Sequence, residues 1–533
     1  MNYLKVGKAT DLTGKDKILY RIFEIVPGFL SWVTLLGLII LSYFQPVWVA
    51  FFIIAFDVYW LLLVIYLAIY LVVAYRKLNW SKKQPWEKYC RELELDSKII
   101  GEEHLTKSLD TARYLYKEKV KWEDLSHLVV LPSYDEGVNI IRTCLQAIAD
   151  DRYSNDKISV ILALEERAGE ESKKRAPIIQ QEFGNIFKNL FIAFHPADIE
   201  GELTGKGSNQ AWAMKRFKKE VIDQENWDYE KIVVSVFDID TIIIPGYFFR
   251  LTYKFLTTPN PHQASYQPVP VYHNNVWQAP FFARVAATSN TFWQMMQQIR
   301  RESLATYSSH AMSFKALADI GFWSTNMVSE DSRIFWHCLL YYKGDYRVEP
   351  LNFPISMDVT MDKSVVRTAK SLYKQQRRWA WGAENIPYLA FNTIKLWPKL
   401  DRKLLINHIF IQVYGFHSWA TNALIIAVVG WMPLLLGGDR FNSTVLSGNL
   451  PMITSLLMNL ALVGLVLSAV IASLIMPKPT GKVSFFKKAF VVVEWIFVPI
   501  SIILFGAIPC LEAQTRLMTK KYMGFWVTPK ERS

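Results

Sequence analysis

Two apolar runs open the chain, residues 29–44 and 47–74, separated only by Gln45-Pro46. A helix needs about 20 predominantly apolar residues to cross a bilayer. Each run with its flanks therefore predicts a span, and the short break predicts a tight helical hairpin. Lys5, Lys8, Lys15, Lys17 and Arg21 precede the pair, and Arg76, Lys77, Lys82 and Lys83 follow it. Basic flanks on both sides put both ends of the hairpin in the cytoplasm. Asp57 falls inside the second run. A charge there reads either as a polar lining or as a carboxyl paired with another helix.

From about residue 85 to 360 the pattern becomes that of a soluble α/β domain. Short β-rich apolar runs at 128–131, 158–164, 190–194 and 232–237 predict strands, and helical periodicity at 138–149 and 208–219 falls between them. Alternating strands and helices argue for a parallel sheet with right-handed crossovers. Ligands in such sheets bind beyond the carboxyl ends of the strands. Residues 361–403, rich in Lys, Arg, Trp and Tyr at helical spacing, predict amphipathic helices at a membrane surface.

The run 404–436 is too long for one straight span and predicts an interfacial piece ending near His417, then a span to Leu436. Residues 450–475 predict another span, followed by a cytoplasmic loop marked by Lys478, Lys482, Lys487 and Lys488. Residues 489–511 are long enough to cross, yet Glu494, Pro499 and Pro509 interrupt them, and Arg516, Lys520, Lys521, Lys530 and Arg532 also favour the cytoplasm. A re-entrant or surface-lying broken helix reconciles both ends, as would an additional crossing within 404–436. The expected division is a hairpin (1–84), a cytoplasmic catalytic domain (85–360), interfacial helices (361–403), C-terminal membrane segments (404–513) and a cytoplasmic tail (514–533).

Hydrophobic residues make up 51% and aromatics 14% of the 533, concentrated at the two ends of the chain. The formal charge of +12 invites a nucleic-acid reading. No zinc spacing, RNP-like segment or clustered basic helix supports one, and the cations instead flank the apolar segments, as beside an anionic leaflet. Cys90, Cys144, Cys338 and Cys510 lie far apart and suggest reduced, packed thiols. The polar, basic first 20 residues do not read as a signal peptide.

The candidate chemistry begins where the fourth strand run ends, at Asp238-Ile239-Asp240. Two carboxylates one residue apart suit a divalent ion holding a diphosphate, although Asp-x-Asp is common on solvated turns. Ser329-Glu330-Asp331 and Gln375-Gln376-Arg377-Arg378-Trp379 follow, between the two groups of membrane-length segments. A helix puts Gln375, Arg378 and Trp379 on one face. Arg378 can fork onto a diphosphate and Trp379 offers a flat face to a sugar ring.

This ordered series, with Pro132-Ser133-Tyr134-Asp135-Glu136 and Lys206, resembles family 2 glycosyltransferases. It is most similar to their membrane-bound, processive branch of cellulose, glucomannan and hyaluronan synthases. The resemblance covers about residues 125–385. It implies a GT-A-type, mostly parallel sheet flanked by helices, joined here to N- and C-terminal transmembrane helices and interfacial helices. It also implies an inverting hexosyltransferase with Mg²⁺ or Mn²⁺ and a cytoplasmic UDP- or GDP-sugar, in the inner membrane of the cell.

By the same resemblance Tyr134 and Glu136 sit against the nucleoside, Lys206 neutralises a phosphate, and Asp240 binds metal with Asp238 beside it near the ribose. Asp331 is the general base, which Glu330 orients. Gln375, Trp379 and Gln278 serve the acceptor. Phe525, Val527, Thr528 and Lys530 resemble a gating loop, without the spans that follow it in cellulose synthases. The chain departs from the family at Leu164-Glu165-Glu166-Arg167, where relatives carry paired aspartates against the base. Glu166 keeps the acceptor oxygens with one more methylene, which leaves uracil against guanine open.

The implied product is a polysaccharide made from a nucleotide-sugar and threaded outward among membrane lipids. Transfer of one sugar to a polyprenyl lipid is the rival reading within enzymes, and a non-catalytic nucleotide-sugar-binding scaffold is the rival outside them.

Overall fold

The computed structural model describes residues 3–93, 120–396, 401–479, 490–491 and 493–528. Apolar helices α1 (Gly14–Phe44) and α2 (Pro46–Lys83) form the hairpin, with Gln45 alone outside helical conformation between them. Pro46 opens α2 at a position where its missing N–H leaves no bond unmade. Lys15, Lys17 and Arg21 lie inside α1, so the helix begins well before its apolar stretch. Asp57 is buried and hydrogen-bonds Thr454 on a later helix, which is the paired-carboxyl reading.

After α3 (Trp86–Glu92) the chain builds a mixed eight-stranded sheet in the order β3-β2-β1-β4-β7-β6-β8-β5. Strands β1 (Ser126–Pro132), β2 (Ile158–Glu165), β3 (Asn189–His195) and β4 (Ile232–Val236) pair in parallel through crossover helices α4 (Val138–Ala149), α5 (Glu170–Phe183) and α6 (Lys206–Phe217). β1, β2 and β4 read as near-continuous Val/Ile/Leu runs because helices cover both faces of the sheet. Beyond β4 the order changes character. β5 (Ile242–Ile243), α7 (Tyr247–Leu256), β6 (Ala264–Val271), α8 (Phe281–Gln297) and β7 (Ala311–Ser313) come next. β7 lies antiparallel between β4 and β6, and β8 (Arg347–Ser356) runs parallel to β6. The apolar cores on the two faces centre on Val129, Leu162 and Phe237, and on Val130, Val234 and Phe314. The crossover order reverses at β1 and β4, where an open α/β sheet leaves a crevice at its carboxyl edge.

Among the described residues the remaining α-helices of seven residues or more are α9 (Phe314–Ile320), α10 (Glu330–Tyr341), α11 (Val365–Ala380), α12 (Asn385–Lys395), α13 (Arg402–Ala427), α14 (Val445–Ile475) and α15 (Ile508–Met518). Among the described residues four helices are long and apolar enough to cross a membrane: α1, α2, α14 and the irregular stretch Glu494–Met518 that ends in α15. The 404–436 run breaks at Val428 and not near His417, with Val429–Leu436 bent by 45° from α13. Gly430 and Pro433 follow that break, and Pro433 cannot donate back into the preceding helix. His417 stays inside α13, where its Nε2 meets Thr34 Oγ of α1 at 2.9 Å.

Glu494–Met518 passes through 3₁₀ and π turns before α15. Acids towards both of its ends form ion pairs with other helices. Glu494 pairs with Arg284 of α8 at 2.6 Å, and Glu512 pairs with Arg377 of α11 at 2.6 Å.

Candidate active site

Each candidate acid or cation is delivered by the end of a regular element. β4 runs out at Val236, and Phe237 still bonds Val130 before the chain turns. Thr241 N–H closes that turn on the Asp238 carbonyl at 2.8 Å. Ile239, 1% exposed, anchors it in the core, so Asp238 and Asp240 flank a buried apolar residue. The equivalent edge of β1 carries Tyr134 and Glu136. Glu136 Oε2 accepts from Ser133 Oγ and Tyr134 N, both at 2.8 Å, so this carboxylate shapes the turn that presents Tyr134. Asp135 is exposed and does not cap α4.

Lys206 is the first residue of α6. It does not stand alone as a phosphate cation, because it lies between two acids from different elements. Its Nζ is 2.7 Å from Asp238 Oδ1 and donates to both oxygens of Asp331 at 2.9 and 3.0 Å. Burial opposes the ammonium charge, but the Asp238 and Asp331 carboxylates outweigh it and hold the Lys206 pKa above the usual lysine range. Gly205 precedes it at φ +154°, and a Cβ there would lie 2.6 Å from the Phe525 ring.

Asp331 and Glu330 open α10, where the helix N-terminus favours negative charge. Asp331 is partly exposed, whereas Glu330 is buried beneath it. Burial, followed by the Asp331 charge, pushes the Glu330 carboxyl up to about 8. The adjacent acids are thus split into one that holds its proton and one placed beside a cation. Glu384 fixes the start of this helix by accepting from Ser329 N at 2.9 Å and Ser329 Oγ at 2.6 Å.

A cavity of about 690 Å³ collects these groups. Tyr134, Glu136, Lys206, Asp238, Asp240, Asp331, Gln375, Arg378 and Trp379 line it, as do Phe525, Val527 and Thr528 from the C-terminal tail. Arg377 points the other way, to Glu512, as helical spacing requires. The Arg378 guanidinium lies 4.9 Å from the Phe525 ring centre, and Lys374 stands over Trp526 at 5.3 Å. Among the described residues the buried atoms Arg378 Nε, Asn209 Oδ1 and Thr528 Oγ1, all on residues lining this cavity, have no hydrogen-bond partner. Buried polar atoms left in that state mark a surface shaped for a polar ligand.

Some expected residues lie elsewhere. β2 continues one residue further than its apolar run, so Glu165 lines the cavity, while Glu166 is exposed on the following turn. Glu165 pairs with Arg167, whose guanidinium stacks on Tyr134 at 4.1 Å. Gln278 is exposed and outside the cavity, and neighbouring Trp277 donates to the Pro477 carbonyl at 3.1 Å. Glu330 lies behind the cavity wall. Lys530 falls outside the described residues. The sequence reading passed over Ser308, which donates to Asp238 Oδ2 at 2.6 Å, and Asp358, whose N–H donates to Asp240 Oδ2 at 3.1 Å. Asp358 could have been noticed as an acid just beyond the apolar run 353–357, the same signal that marked Asp238.

Residues 233–508, which take in the Asp238–Asp240 turn, the Glu330-Asp331 pair and the Gln375–Trp379 helix, match the model of glycosyl transferase family group 2. The chain belongs to this family. No curated protein matches it. Among solved structures it is similar to the mannosyltransferase PcManGT from Pyrobaculum calidifontis in complex with GDP-Man and Mn²⁺. That match has 13% identity and a TM-score of 0.39, covering 71% of this chain and 99% of that one. It is also similar to S. aureus TarS 1–349 in complex with UDP-GlcNAc, at 12% identity and a TM-score of 0.30, covering 66% of this chain and 91% of that one. Likenesses this loose do not bear on its chemistry.

For this glycosyltransferase the acid turn offers two carboxylates of the kind a hard divalent ion takes. Among the described residues no three His, Cys, Asp or Glu groups cluster as a metal cage. Mg²⁺ and Mn²⁺ are commonly held by one or two carboxylates, with phosphate oxygens and water completing the shell. Asp238 already engages Lys206 with one oxygen and Ser308 with the other, and Asp240 accepts from the Asp358 N–H with its Oδ2.

Proposed function

We propose that this glycosyltransferase moves a hexose, with inversion, from a UDP- or GDP-linked donor to the hydroxyl of a growing polysaccharide at the cytoplasmic face of the cell membrane, and threads the product outward. One observation carries the reading. The cavity that holds Asp240, Asp331 and Arg378 continues without a break to Leu63 and Leu67 of α2, Tyr414 and Trp419 of α13, and Phe505. Aromatic faces and amide side chains (Trp293, Gln294, Gln297, Gln412) line this extension. They suit sugar rings and hydroxyls better than a polyprenyl chain.

In this reading Tyr134 and Glu165 face the base, and Arg378 forks onto the diphosphate. Asp240, with Asp238 beside it, holds a divalent ion that supplies Lewis-acid stabilisation of the departing diphosphate. Asp331 accepts the proton of the acceptor hydroxyl as that oxygen bonds to the anomeric carbon from the side opposite the leaving group. Single displacement needs one such base, so neutral Glu330 beside it serves as an orienting neighbour. Lys206 holds Asp331 in place through both carboxylate oxygens. Trp379 and Gln375 hold the acceptor sugar, and Phe525, Val527 and Thr528 cover the donor.

Membrane vesicles given a panel of labelled nucleotide-sugars with Mg²⁺ or Mn²⁺ test this. Long polymer from one donor is the expected product. A single-sugar lipid would replace the polymer reading, and binding of donor without any transfer would favour the scaffold.

A further inference from the structure

A second cavity, of about 410 Å³, shares no residue with the first. It lies where α2 ends, between α3 and the turn that leads into α7. Lys82, Lys83, Lys88, Arg91 and Arg152 line it against a single carboxylate, Glu87, which Arg91 already holds at 3.0 Å. Lys88 reaches Glu92 at 3.5 Å. Lys82, Lys83 and Arg152 form no ion pair among the described residues. Clustered cations raise one another's electrostatic energy, and an anion placed among them relieves it. Trp86, Phe249 and Phe353 supply a buried aromatic wall, which lowers the local dielectric and strengthens any charge pair made there.

The position selects the kind of anion. Leu62, Ile65, Ile69 and Val73 of α2 are all exposed, at spacings of three and four residues, and form a lipid-facing stripe. Continued by the same spacing, that line passes the exposed Lys77 to half-buried Trp80, packed on Trp86 of the cavity wall, and Lys83 at the cavity mouth. A soluble anion would have no use for the stripe, whereas a phospholipid needs both features.

We propose that this cavity holds the headgroup phosphate of an anionic phospholipid, with its acyl chains along the exposed stripe of α2. The proposal rests on α2 being a span, and is independent of the transfer reaction. It assigns Lys82, Lys83 and Arg152 as headgroup ligands.

The full chain, reconstituted in nanodiscs of phosphatidylcholine with increasing phosphatidylglycerol, supplies the test. Bound lipid is identified by native mass spectrometry and stability is followed by thermal unfolding. Phosphatidylglycerol should be retained selectively and should raise the Tm of the wild type. The K82Q/K83Q/R152Q variant should lose about tenfold or more of that selectivity, while K15Q/K17Q/K363Q, which removes three exposed cations elsewhere, keeps it. R152Q alone, which leaves α2 unchanged, should lose part of it. Equal selectivity in the wild type and K82Q/K83Q/R152Q would overturn the proposal, as would equal loss in the control variant. Inorganic phosphate raising the Tm as much in pure phosphatidylcholine would reassign the cavity to a soluble anion. A chain that does not insert into nanodiscs overturns the membrane reading itself; one that inserts without lipid preference overturns only this site.

Discussion

The ammonium of Lys206 grips both oxygens of Asp331, at 2.9 and 3.0 Å, while its third direction is taken by Asp238 at 2.7 Å. One cation thus spans the metal-side acid and the proposed base. This contact sets a positive charge directly against both carboxylates. It must also loosen for the base to accept a proton.

Replacing Lys206 with methionine removes the charge and keeps most of the volume. Transfer should fall by two orders of magnitude or more, roughly the contribution of a positioned acid–base group. Rates measured with a fixed donor check this, and an unchanged rate would show that the contact with Asp331 does not serve transfer.

The Glu330→Gln variant separates the two adjacent acids. Glu330 is raised from 4.5 to about 8, so the folded state binds its proton more tightly than the unfolded chain does. Its contribution to stability is complete below pH 4.5 and is lost as pH rises through about 8. Glutamine mimics the protonated acid. The Tm difference between variant and wild type should therefore grow in the variant's favour as pH rises across that window. Activity near neutrality should stay within about tenfold, because Asp331 carries the proton transfer.

Much of this arrangement could be read before the structure, for a simple reason. Asp238, Asp240, Lys206, Asp331 and Tyr134 all sit where an apolar run stops or a helix starts, and such boundaries are visible in hydrophobic patterning. Glu165 against Glu166 was not, because a strand's last residue depends on its partner, and His195 on β3 extends β2 by pairing with Glu165. Gln278 lay in the right interval, but the turn that carries it faces the 476–479 side of the molecule. The break at Val428 depended on Gly430 and Pro433, whereas His417 only looked polar enough to end a helix. Ser308 reaches the acid turn through the tertiary fold, which no local pattern encodes.

Metal dependence distinguishes the two acids of the turn. Chelation with EDTA should abolish transfer and added Mn²⁺ should restore it. Asp240→Asn should raise the Mn²⁺ concentration needed for half-maximal activity by about tenfold or more, since one charged oxygen donor is lost. Asp238→Asn, which disturbs Lys206 and Ser308 as well, should lower kcat with a smaller change in metal requirement. Titrating Mn²⁺ against each variant reads the split. Full activity in Asp240→Ala would remove this turn from the site altogether.

The C-terminal tail offers the last test, because Gly205 and Phe525 touch. Gly205 adopts φ +154°, and a Cβ there would meet Phe525 Cγ at 2.6 Å. Gly205→Ala should therefore displace the tail and also strain the start of α6, where Lys206 sits. Phe525→Ala removes the ring without disturbing that helix. If the tail covers the donor, Phe525→Ala should raise the donor KM several-fold and increase hydrolysis of the donor to free sugar, since water gains access to the anomeric carbon. Gly205→Ala should show both effects and a further loss of kcat of about tenfold, of the size expected when a charged group is misplaced by a fraction of an ångström. Equal kcat and KM in Phe525→Ala and wild type would reduce the tail to packing, and the loss in Gly205→Ala would then belong to Lys206 alone.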